Sequence, residues 1–143
     1  MSADLRNKII ETYNQFTGKN LDLLDGFYAV DVEFHDPVTS LKGLSKLKDY
    51  YRHAYAHVKS IKFEFTEIIK DEDKYCGCWK MKIVIPTLNS GKEYTVTGNS
   101  RLNFNNDGRV VYHRDYLDLG EMVYEKIPVQ GFLLRLFKKK LAP

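Results

Sequence analysis

The chain has 143 residues, long enough for one domain with a real core and too short for two. Hydrophobic residues make up 43% and charged residues 29%, the balance of a soluble globular protein, and no apolar run reaches the length of a transmembrane helix. The net charge is only +3, and three positive charges sit together at Lys138, Lys139 and Lys140. Nucleic-acid binders spread basic residues along a face with aromatics between them, so no nucleic-acid partner is expected.

The opening Met1-Ser2-Ala3-Asp4-Leu5-Arg6 carries no apolar signal stretch, which makes the cytoplasm the expected location. Residues 3 to 17 then place Leu5, Ile9, Tyr13 and Phe16 three and four apart, an amphipathic helix with Ser2 as its cap and Gly18 as its stop. A short helical piece carries Leu21, Leu24, Phe27 and Tyr28. From Val32 the pattern alternates, with Val32 and Phe34 set against Glu33 and His35, until Pro37 stops it. Gly43 precedes a helix over 44–57 with Leu47, Tyr50, Tyr51, Ala54 and Tyr55 on its buried side.

The second half reads as strands. Ile61, Phe63 and Phe65 alternate with polar residues, and Lys80 and Lys82 mark the wet face of a strand that runs on to Ile85. Cys76 and Cys78 are read as two buried thiols, because C-x-C suits neither a disulfide nor a zinc site. Asn89-Ser90-Gly91 makes a turn, Tyr94 to Phe104 a long strand, Asn106-Asp107-Gly108 a hairpin, and Arg109 to Asp118 the last strand. Helices followed by a strand meander give an α+β fold in which one sheet wraps around the N-terminal helices. Beyond it, Pro128 opens a helix with a Phe132, Leu133, Leu136 and Phe137 stripe beside Arg135 and the three lysines. The pattern fits an interfacial membrane helix or a helix packed on protein; packing on its own domain or a partner subunit is expected, with no stable membrane association.

Two stretches carry a resemblance. One is Phe27-Tyr28-Ala29-Val30-Asp31-Val32-Glu33-Phe34-His35-Asp36-Pro37, followed by Gly43 and Tyr50-Tyr51. The other is Asn106-Asp107-Gly108-Arg109-Val110 with His113-Arg114-Asp115-Tyr116. In pattern and order they resemble the SnoaL-like and ketosteroid-isomerase-like members of the nuclear-transport-factor-2-like superfamily, over roughly residues 3 to 118. The resemblance implies a domain over 1–118 with a cone-shaped, curved mixed or antiparallel sheet around a pocket. Residues 119–143 are then a C-terminal helical extension packed on that domain.

The resemblance also implies site residues. Tyr13 resembles the isomerase tyrosine that donates to a substrate oxygen, Asp36 resembles the general base, and Tyr51 resembles an aromatic that supports the tyrosine. Ser100 falls where the isomerase has a second, acidic donor, a departure that speaks against steroid isomerisation. His113 and Asp115 share one face of the last strand, like the acidic residue of SnoaL-type cyclases. Tyr13, Asp36, His113 and Asp115 are therefore the candidate catalytic residues. Tyr51, Tyr55, Trp79, Met81, Ile83, Val96, Ser100, Leu102 and Leu117 are the candidate ligand-binding residues. The expected ligand is a small apolar molecule. The expected activity is acid–base chemistry of the isomerase, cyclase or dehydratase type, without cofactor or metal, in a homodimer. A non-catalytic binding protein and a protein-interaction module are the alternatives. Residue by residue the plain alternatives also stand: Asp36 shaping its own turn, and His53 with His57 as a solvated helix face.

Overall fold

The computed structural model describes residues 4–142. The cap expected at Ser2 lies outside the described residues. The first helix, α1, runs Arg6–Gln15, and at its start the Asp4 carboxylate accepts from the Arg6 backbone N–H. It ends at Phe16, which turns to extended backbone before the positive φ of Gly18. A side chain at Gly18 would collide with Tyr55, so glycine is needed there twice over.

Helix α2 (Leu23–Phe27) leads straight into β1 (Tyr28–His35), and β2 (Ser40–Lys42) pairs back on β1. This short strand has no signal in the sequence, because three residues are too few to show an alternation. Helix α3 covers Leu44–Tyr55, two residues shorter than its pattern suggests. Strands β3 (Ser60–Asp71), β4 (Lys74–Val84), β5 (Tyr94–Phe104) and β6 (Val110–Leu117) follow as a meander. The β5 limits match the sequence expectation residue for residue.

The six strands lie in the order β2-β1-β6-β5-β4-β3. All neighbours are antiparallel except β1 and β6, which run parallel with Phe34 opposite His113. The sheet is curved and unclosed, and its inner face cups α1 and α3. One core holds Ile9, Phe27, Val32, Phe34, Leu47, Leu102 and Val110; a second holds Trp79, Met81, Ile83, Tyr94 and Val96.

The strand period corrects the reading of the cysteines. On β4 the buried positions are Tyr75, Gly77, Trp79, Met81 and Ile83, so Cys76 and Cys78 fall on the outer face beside Lys80 and Lys82. Both are free thiols and half-buried. Burial, and then the neighbouring Cys78, push the Cys76 thiol above the usual range.

After β6, Asp118 caps the short helix α4 (Leu119–Met122) by accepting from Gly120 and Glu121 N–H at 2.8 and 3.2 Å. Tyr94 OH donates to the Met122 carbonyl at 2.6 Å and ties α4 down beside the sheet. A 3₁₀ turn at Tyr124–Lys126 precedes α5 (Pro128–Leu141). The expected packing of α5 on its own domain is realised only on one line of the helix. Gly131 is buried against the Glu125 carbonyl, and Lys138 and Arg135 reach Glu125 at 2.5 and 3.1 Å. The apolar stripe of Phe132, Leu133, Leu136 and Phe137 faces outward, because the helix turns Gly131, half-buried Leu134 and the Arg135–Lys138 line toward the chain.

Candidate functional site

The sheet register places the polar groups. Ser100 lies directly opposite Asp115 on neighbouring antiparallel strands, and its Oγ donates to Asp115 Oδ1 at 2.5 Å. Trp79 lies opposite Gly98, whose missing side chain lets the indole cross over the strand. The Trp79 Nε1–H then reaches Ser100 Oγ at 3.0 Å. Two residues before Asp115 on the same face, His113 is almost fully buried, with 1% of its side chain exposed, whereas Asp115 has 19%.

His113 joins both sides of the network. Its Nε2 is 2.7 Å from Asp115 Oδ1, and its Nδ1 is 2.8 Å from Tyr28 OH. Tyr28 OH lies 3.0 Å from Tyr51 OH. Every partner is satisfied when Tyr51 donates to Tyr28, Tyr28 donates to Nδ1, and Nε2–H donates to the carboxylate. Tyr13 OH stands 3.3 Å from the same Nε2, a longer contact. Asp115 Oδ2 has no donor among the described residues.

Two adjoining chambers, of about 70 and 150 Å³, lie between α1, α3 and the sheet. They share Tyr13, Tyr51, Tyr55, Phe63 and Asp115, so the carboxylate stands where the two meet. His113 reaches only the smaller one. Trp79, Met81, Ile83 and Leu117 form the sheet wall of the larger one, and Leu119 and Met122 of α4 border it. Both volumes fall below the roughly 300–1,000 Å³ of drug-sized sites, so only a small molecule would fit there.

Three expected ligand contacts are placed elsewhere. Val96 and Leu102 are fully buried core residues on β5, beneath the packed side chains rather than on the cavity surface. Ser100 is also fully buried, and its hydroxyl is committed to Asp115 and Trp79. It positions the carboxylate instead of meeting a ligand.

Asp36 borders the larger chamber, but both of its oxygens are engaged. Oδ1 accepts from Val38 and Thr39 N–H at 2.8 Å each, closing the turn at Pro37, and Oδ2 accepts from Tyr50 OH. Asp115, Tyr13, Tyr51 and Tyr55 thus meet in the cavity with His113 behind them, while Asp36 stands at its rim as a turn-forming residue. Sequence reasoning missed Tyr28 as the second partner of His113. Alternation does not reveal it, because Val30, of the same parity, is 82% exposed and the β1–β6 register shifts between Tyr28 and Glu33. Tyr50 was placed on the buried side of its helix, but no local pattern tied it to Asp36, fourteen residues away.

Burial raises the hydroxyl pKa values of Tyr13, Tyr28, Tyr51 and Tyr55 well above the ordinary tyrosine value, and the negative charge of Asp115 adds to the effect in each. Tyr50 is raised as well, first by burial and then by Asp36. All five are O–H donors at neutral pH. No cluster of three His, Cys, Asp or Glu side chains is set to hold a metal among the described residues; His53 and His57 form only a ring pair 6.2 Å apart.

The solved structures that resemble this chain share its fold. An NTF2-like protein of unknown function from Burkholderia pseudomallei K96243 superposes with a TM-score of 0.73 at 19% identity, over 85% of this chain and 96% of the other. A putative SnoaL-like polyketide cyclase from Shewanella denitrificans OS-217 gives 0.70 at 17% identity, over 84% and 95%. A protein with a ketosteroid-isomerase-like fold from Catenulispora acidiphila DSM 44928, solved in complex with trimethylamine, gives 0.71 at 14% identity, over 88% and 93%. At these identities the likeness speaks for the fold alone. A search of curated protein sequences gives no match. The family model described as "SnoaL-like domain" matches residues 9–113, from α1 to the buried histidine of β6, and by that match the chain belongs to the SnoaL-like family.

Proposed function

We propose that the protein is an acid–base enzyme of the isomerase, cyclase or dehydratase type, acting on a small, mostly apolar carbonyl compound. One observation carries the reading. Asp115 is held through Oδ1 by Ser100 and His113, while Oδ2, at the junction of the two chambers, has no donor among the described residues. A carboxylate fixed on one oxygen and open on the other is suited to take a proton from a bound molecule. In the first step Oδ2 removes a proton from the carbon beside the carbonyl, and the electron pair moves onto the carbonyl oxygen. The raised tyrosines keep their protons, so Tyr13 or Tyr55 donates to that oxygen as charge develops. Protonated Asp115 then returns its proton to a second carbon or to a leaving group. His113 positions the carboxylate and stays out of contact with the reacting atoms. Asp36, with both oxygens engaged, keeps the rim in place and takes no part in proton transfer.

The reading includes a homodimer formed across the outer sheet face. Lys80 and Lys82 on β4 lie opposite Thr97 and Thr95 on β5, all exposed, and half-buried Tyr112 of β6, opposite Asn103, lies toward the other end of the same face. Light scattering that gives a monomer mass at micromolar concentration would overturn this part.

Screening small enolisable ketones and lactones tests the chemistry. Trp79, the only tryptophan, lies in the cavity wall, so its fluorescence reports binding separately from turnover. On whichever compound turns over, Asp115→Asn is expected to cut kcat by about 10²- to 10⁴-fold with binding retained. Full activity in Asp115→Asn would remove the assignment. Fluorescence-detected binding without turnover across the screen would leave a binding protein.

A further inference from the structure

Helix α5 is built the wrong way round for a helix that packs on its own domain. At 3.6 residues per turn, Gly131, Arg135 and Lys138 fall on one line, and that line meets Glu125. Val129, Phe132, Leu133, Leu136 and Phe137 repeat at the spacing of a continuous apolar face on the other side. All five are exposed, with Phe132 at 56% and Phe137 at 61%. Isolated exposed apolar residues are ordinary, but a helix-long face of this kind signals a partner.

Charge identifies the partner. Between Pro128 and Leu141 there are four basic residues and no acidic one. Lys138 is paired with Glu125, whereas Lys139 and Lys140 have no acidic partner among the described residues. In the last turn Lys140 continues the line of Leu136 and Phe137 and Lys139 lies at the edge of the apolar face, where long lysine stems let the ammonium groups rise out of an apolar layer. A second copy of this helix would bring more positive charge and nothing to neutralise it. No described helix is long and apolar enough to cross a membrane. A short helix with large apolar side chains on one side and unpaired lysines at its end instead suits the boundary between anionic headgroups and acyl chains. We propose that α5 lies flat on an anionic lipid bilayer and holds the domain at that surface. This departs from the expectation that the stripe packs on protein, and it stands apart from the proposed chemistry.

The test is flotation of the full chain with vesicles of phosphatidylcholine alone or with about one-third phosphatidylglycerol. Binding is expected to the anionic vesicles only and to weaken as salt is raised. Replacing Lys139 and Lys140 together by Gln should lower the partition by about thirtyfold, and Phe132→Ser with Phe137→Ser should abolish it. All four side chains are exposed, so circular dichroism and melting should be unchanged in both variants. The proposal is overturned by an absence of flotation, or by flotation that survives loss of the two phenylalanines. It is equally overturned if the phenylalanine variant loses self-association seen by light scattering, which would assign the face to a second copy.

Discussion

Asp115 is approached by two donors on one oxygen, and each donor has a separate reason to be there. Ser100 arrives by strand register and is itself held by Trp79, while His113 arrives by the two-residue period of β6 and is held by Tyr28. Replacing Ser100 by Ala should therefore loosen the carboxylate without emptying the cavity. The expected result is a fall in kcat smaller than that of Asp115→Asn, with ligand quenching of Trp79 preserved. Tyr13→Phe should cost roughly ten- to a thousandfold in rate, the range for one donor to a developing oxyanion.

The tyrosines also set an alkaline limit. Their folded pKa values lie above the unfolded value of 10.0, so below pH 10 both states hold these protons and stability does not depend on them. Above pH 10 the unfolded chain releases protons that the folded chain keeps, so stability falls as pH rises toward the folded values. Urea midpoints measured from pH 8 to pH 11 should be flat and then decline, with the tyrosinate absorbance of the four buried tyrosines appearing together with unfolding. Tyrosinate absorbance from all ten tyrosines near pH 10 in the folded state would contradict this.

Among the elements, β4 and β5 depend on Gly98. A Cβ there would stand 2.6 Å from the Trp79 ring and 2.7 Å from the Tyr116 carbonyl, and the carbonyl has no room to retreat within the ladder. Gly98→Ala is expected to destabilise by about 1–3 kcal/mol, or roughly 2–12 °C in melting temperature, and to shift Trp79 emission as the indole moves. The opposite outcome is expected for α5. Truncation after Ile127 removes mostly exposed apolar residues, with one buried glycine, half-buried Leu134 and surface contacts to Glu125, so the melting temperature should move by no more than a few degrees. A large drop would mean that the stripe is covered in solution.

What the sequence revealed at this scale follows the length of its patterns. The eleven residues of β5 and the long helices announce themselves by period, whereas β2 has three residues and no room for a pattern. Asp115, His113 and Tyr13 were legible because strand parity and a resemblance placed them on inward faces. The committed state of Asp36 and Ser100 was not legible. A hydrogen bond between residues fourteen or fifteen positions apart depends on register and helix placement, which no local window contains. The facing of α5 was hidden for a related reason. Periodicity identifies an apolar side but not whether the chain folds back beneath it.

At the scale of the whole molecule, the parallel pairing of β1 with β6 decides when the protein can form. β1 ends at His35 and β6 begins at Val110, so Phe34 finds its partner, His113, only after nearly the entire domain exists. Joining strands so far apart in the chain costs loop entropy that no local contact offsets. A ribosome presenting the first hundred residues therefore exposes the inner face of β1, and the helices have no finished sheet to rest on. Chains ending at Phe104 should remain unfolded by circular dichroism, while chains extended through Leu117 should acquire cooperative melting. The same late step implies slow refolding, with protection of β1 amides from hydrogen exchange appearing together with that of β6 and after that of the β3–β4 hairpin. The strand that completes the barrier around the cavity also delivers His113 and Asp115 to it, so no partly made chain carries the site.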